Sequence, residues 1–154
     1  MYTSNDEIDY IGLRLMMRSL PKHRWTHEAH VAAAVWILES DAHHAETDLP
    51  PMIRRYNVSV GTANTDTTGY HETITLASLR RIAVSLAALP NDLACYKKVN
   101  AVLAEGLAKP DWIFRHWSRE KLFSIEARHN WVEPDLAPLP TFPSAAPSIG
   151  AGRE

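Results

Sequence analysis

After Gly69, His71, Thr75, Leu79, Ile82 and Leu86 follow one another at three- and four-residue spacing, the period of a helix with one buried stripe. The stretch before it, Asn64 to Gly69, is built of residues that favour turns and caps, so Thr68 or Gly69 is expected to start a helix running from Tyr70 to about Leu89, where Pro90 stops it. A histidine at the mouth of an apolar stripe points into the protein. Trp25 to His30 repeats the arrangement, with Thr26 as the cap, His27 in the first turn and His30 three residues on.

No segment alternates with the period of a strand, and further helical patterns fill most of the chain. Ser4 to about Ser19 carries a cap, an acidic first turn and Ile8, Ile11 and Leu15 in register, although Gly12 weakens the pattern. His27 to about Ser40 is apolar nearly all round, which marks a central helix. Asp41 to Leu49 reads as a solvated bend, and Pro50-Pro51 as the start of a short helix to about Val58. Asn91 is the expected cap of a helix that carries Leu93, Val99, Leu103 and Leu107. Ser118 and Ser124 are caps for two short pieces that end near Trp131. The expectation is an all-α single domain over 1–137, a bundle of roughly four to six helices, followed by a Pro/Ser/Ala-rich tail over 138–154.

A chain of 154 residues, 45% hydrophobic and 22% charged, has the composition of one globular domain with a real core. Its formal net charge of -2, with no run of one sign, argues against nucleic acid or an anionic membrane as partner. There is no apolar run near 18 residues and no basic-then-apolar leader, so a cytoplasmic address is the expectation. The single Cys95 excludes an internal disulfide and reads as a small core residue.

The chemistry is expected at the two histidine-bearing helix starts. His27 and His30 share one helix face, and His71 from a neighbouring helix would complete a set of three nitrogens for a divalent metal such as Zn, Fe or Mn, with one coordination position open. Glu72 would be a fourth ligand or the base for a metal-bound water. His27-Glu28-Ala29-His30 is one residue short of the zincin pattern, which is excluded. Arg119, unexpected at a helix start, would meet an anionic group, and Tyr70 would help orient a small anionic substrate. His116, beside Trp117, is a further candidate for the site lining. His23, His43, His44 and His129 stand in polar surroundings and read as solvated. The competing expectation is a non-catalytic helical module that binds a small ligand or a protein, its histidines and Glu72 forming a buried polar network.

These segments resemble a family of small uncharacterised bacterial proteins. The likeness rests on W-T-H-x-x-H at Trp25–His30, the N-T-x-x-x-G-Y-H-E-T-I-T centre ending at Thr75, S-R-E-x-L-x-S-x-x-A-R at Ser118–Arg128, and W-V-x-P-D-L-x-P-L-P at Trp131–Pro140. Trp117 departs from it, standing where tyrosine is the pattern. The resemblance implies an all-helical domain and singles out His27, His30, Tyr70, His71, Glu72, Ser118 and Arg119. It implies no particular activity. A small metal-dependent, hydrolase-like enzyme is the reading that joins these residues, and self-association stays open.

Overall fold

The computed structural model describes residues 1–141; the rest of the expected tail, 142–154, lies outside the described residues. All regular structure in the described residues is helical, as the periodicity predicts, and no strand occurs among them. No helix there is long and apolar enough to cross a membrane. The α-helices are α1 (Asn5–Met16), α2 (His27–Leu38), α3 (Ala45–Ser59), α4 (Glu72–Ala87), α5 (Cys95–Val102), α6 (Arg119–Leu122) and α7 (Ile125–His129).

Two apolar cores are stacked on opposite faces of α4. The first surrounds α2, whose Ala32, Val35 and Ile37 are fully buried against Ile8, Leu15, Tyr56, Leu79, Ile82 and Val99. α2 is thus the central helix its all-round apolar sequence predicts. Gly12 is no defect in α1. A Cβ there would lie 2.1 Å from the Trp36 ring, so glycine is what lets α1 and α2 approach. The second core gathers Ala77, Ile113, Trp117, Leu122, Ala127 and Val132, with Ile74 of α4 packed against it.

Three helix starts differ from expectation. α4 begins at Glu72, because His71 is itself the cap: its Nδ1 accepts the Ile74 N–H at 3.2 Å. Nδ1 stands two bonds from Cβ, as the Oδ1 of asparagine does, so the ring does the work of the usual Asn or Asp. α3 begins well before the two prolines, and the expected bend is its first turn. There Asp48 Oδ2 accepts the His44 N–H at 2.9 Å and Glu46 engages Arg80 at 2.8 Å, fixing a turn that the prolines then continue with two amide hydrogens fewer. Asn91 does not cap α5, which starts at Cys95. The Asn91 carbonyl instead accepts from the buried Lys98 ammonium, which also pairs with Glu39.

α5 ends in a π-type turn over Leu103–Leu107, where Gly106 takes φ 95°. A 3-10 stretch, Pro110–Arg115, then carries the chain to the second core. From Val132 to Thr141 the chain is extended, as its prolines predict, but it is packed: Trp117 Nε1 donates to the Val132 carbonyl (3.1 Å), Leu136 N–H to the His116 carbonyl (2.9 Å), and Leu139 lies against the second core.

Candidate functional site

Two chambers are walled by α2 and α4. The inner chamber, about 280 Å³, is lined by His27, His30, Ile82, Leu107, Trp112 and Phe123 among others. The outer chamber, about 380 Å³, has Trp25, His30, Leu49, Tyr70, His71 and Thr75 in its wall. His30, Ile74 and Ser78 belong to both. One histidine, one isoleucine and one serine therefore form wall common to the two spaces. Their linings are mostly apolar with a few convergent polar groups, the usual make-up of a small-molecule site.

His30 is the distinctive member. It is projected there by α2, whose cap holds: Thr26 Oγ1 accepts the Ala29 N–H at 3.2 Å. The ring is exposed and faces chamber space instead of packed side chains. Trp25 meets it edge-on with centroids 3.9 Å apart. Among the described residues no group hydrogen-bonds to either ring nitrogen. Desolvation by the neighbouring side chains, with repulsion from His27 second, brings its pKa down to about 4, so the ring is neutral near pH 7 and holds one N–H and one lone pair.

The other two histidines are committed. His71 Nδ1 caps α4, so its proton sits on Nε2, which donates to the Leu122 carbonyl at 2.7 Å. Burial pushes its pKa down, and neutral His71 fits this pair of bonds. His27 Nε2 donates to the Leu107 carbonyl at 2.7 Å and pins the π-type turn to α2. The expected histidines are thus brought to the same pair of chambers two at a time, His27 with His30 and His71 with His30. They do not converge on one point. Among the described residues no group of three or more His, Cys, Asp or Glu side chains is placed to hold a metal ion. His71 fits such a role least, since both its nitrogens are already used.

Glu72 faces elsewhere. It lines a separate polar notch with Arg54, Arg128 and His129, accepts from the Tyr70 hydroxyl at 3.2 Å and lies 3.8 Å from Arg54. Tyr70 stands between notch and outer chamber; burial first, then Glu72, raises its pKa, and the Arg54 guanidinium lies 4.9 Å from its ring centroid. Ser118 caps α6 by accepting from Lys121 N–H (3.2 Å) and donates its hydroxyl to Asp135 (2.6 Å), an arrangement that closes the C-terminal segment. Arg119 is exposed and lies 4.0 Å over the Phe114 ring, whose residue lines the inner chamber. His116 belongs to the wrapping of the second core: its Nδ1 donates to the Ala137 carbonyl at 3.0 Å.

Ser78, Ile74 and the loop clamp Asn64 were not expected at the site. Ser78 continues the polar row His71–Thr75 by three residues on α4, so helical spacing carried a signal for it. Asn64 carried none beyond its turn preference. Its Oδ1 accepts from Tyr70 N–H (2.9 Å) and from Asn57 Nδ2 (3.0 Å), while its Nδ2 donates to the Arg54 carbonyl (3.0 Å). That clamp seats the loop 61–69 against α3. Gly69 at φ 78° is needed there, because a Cβ would lie 2.4 Å from the Ala63 carbonyl.

No family model, curated protein or solved structure matches this chain.

Proposed function

We propose that this protein binds a small, predominantly apolar molecule in the paired chambers, with His30 as its polar contact. The observation that carries the reading is the neutral imidazole of His30, without a protein partner among the described residues, in the wall common to two mostly apolar spaces. An imidazole open to the chamber space can exchange its bond to water for one to a ligand held against the apolar walls. The fixed histidines on either side, His27 and His71, hold the walls.

A metal-dependent hydrolase is the second reading. In its favour, His27 and His30 line one chamber together with Asp111. Against it, His71 would have to give up its cap of α4, and Glu72 lies in the notch, away from His30. Binding without hydrolysis asks for no such rearrangement.

The test is a fluorescence titration with Nile red, an uncharged apolar dye, on protein purified without a histidine tag, with metal analysis of the same sample. Saturable binding near one dye per chain, weakened about fivefold or more in His30→Leu, is expected, with a substoichiometric metal content. No saturable binding, together with one equivalent of tightly held Zn, Fe or Mn, would overturn the reading in favour of the metalloenzyme.

A further inference from the structure

Nothing in the charge of the chambers suits an ion. Neither lining contains a lysine or an arginine, and its one carboxylate, Asp111, belongs to an exposed residue. The cations near the site are engaged outside the chambers: Arg119 on Phe114, Arg54 beside Tyr70 and Glu72, and Arg128 on the carbonyls of Gly69 and Tyr70. A carboxylate or phosphate brought inside would lose hydration without gaining a counter-charge. The expectation of an anionic substrate held by Arg119 therefore has no support in these linings.

The two linings also share their polar groups. His30 and Ser78 are common to both chambers, and apolar walls extend away from them on both sides, toward Leu107 and Trp112 in one and toward Leu49 and Ile53 in the other. Ser78 spends its hydroxyl hydrogen on the Ile74 carbonyl at 2.7 Å, which leaves its oxygen as an acceptor. The donor facing the junction is therefore the single N–H of neutral His30.

Resting on the binding reading above, we infer that the ligand is uncharged and elongated, with two apolar arms, one in each chamber, and a carbonyl or hydroxyl between them held by His30. A terminal polar group would force one arm to stay short or the group to lie against hydrocarbon.

Isomeric ketones test this without altering the protein. 5-Nonanone and 2-nonanone have the same atoms and nearly the same hydrophobicity, and differ in where the acceptor lies. In competition with bound Nile red on the wild-type chain, 5-nonanone is expected to displace the dye at about fivefold lower concentration than its isomer. Nonanoate at pH 8 and nonylammonium are expected to be weaker than either ketone by tenfold or more, the cost of an unpaired buried charge, on the order of 1.4 kcal/mol for each factor of ten. His30→Phe keeps an aromatic ring and removes the N–H, so it should abolish the preference between the ketones. Equal displacement by the two isomers, or a preference for 2-nonanone, overturns the spanning arrangement. Displacement by nonanoate or nonylammonium at ketone concentrations overturns the uncharged class. Both results leave dye binding intact, whereas failure of Nile red to bind at all removes the binding reading itself and this inference with it.

Discussion

The two cores on either face of α4 are held together in different ways. The core around α2 is made by long helices whose apolar stripes interlock, with Ile8, Val35, Ile37 and Val99 fully buried and few side-chain hydrogen bonds among them. The core around Trp117 is assembled from short pieces that could not stand alone, since isolated helices of a turn or so are unstable in water. Its segments are tied to α4 and its cap by His71 Nε2 to the Leu122 carbonyl and Thr73 Oγ1 to the Asn130 carbonyl (2.7 Å), and to one another by Trp117 Nε1 to the Val132 carbonyl. One half is specified by periodicity and the other by particular side chains. The inner chamber lies where the two meet, between Val31, Ile82 and Leu107 of the first core and Ile113 and Leu122 of the second.

The contrast predicts unequal responses to substitution. Trp117→Ala should have the largest effect, about 3–5 kcal/mol lost from the global unfolding free energy, because it empties the centre of the second core and frees the Val132 carbonyl. Urea unfolding with amide exchange checks it, and protection should fall first at Ala127 and Leu122, last in α2. Uniform loss of protection along the chain would mean that the two cores form one cooperative unit.

His71 separates the two jobs of a single ring. His71→Ala removes the α4 cap and the bond to Leu122, for about 2–3 kcal/mol in all. His71→Asn keeps a capping acceptor but is too short for Leu122, so it should recover about 1 kcal/mol of that loss. If Asn and Ala are equally damaging, the cap contributes nothing and the link to the second core is the whole effect.

Acid sensitivity is the smallest of these effects, because the exposed His30 ring is screened by solvent. The pKa of His30 in the folded chain is about 4 against an ordinary 6.5, so the unfolded chain takes up the proton first as pH falls. Its contribution to stability is therefore fully present above pH 6.5 and lost progressively as pH drops through 4. His71 shifts in the same direction. His30→Phe should flatten part of the decline in urea midpoint between pH 6.5 and 4, and an unchanged slope would place the acid response elsewhere.

Much of this was legible from residue order. α1, α2 and α4 follow from stripes and caps, and the caps Thr26, Ser118 and Ser124 stand where the pattern puts them. What spacing could not show is a hydrogen bond between residues far apart in the chain. His27 and His71 look like free imidazoles in sequence, but Leu107 and Leu122, 80 and 51 positions away, supply carbonyls that occupy them. The same limit hid the first turn of α3, held by Arg80, and the packed course of the proline segment, held by Trp117 and His116. Helical spacing pointed to His27, His30 and His71, and only tertiary contacts decide which of them stays open.

That distinction can be read directly from the histidine side-chain nitrogens by ¹⁵N NMR as 5-nonanone is added at pH 7. The account predicts that the His30 nitrogens shift on saturation, while His71 remains protonated on Nε2 and unmoved. A His30 signal indifferent to the ketone, or one that responds only to added zinc and moves together with His27 and His71, would contradict it.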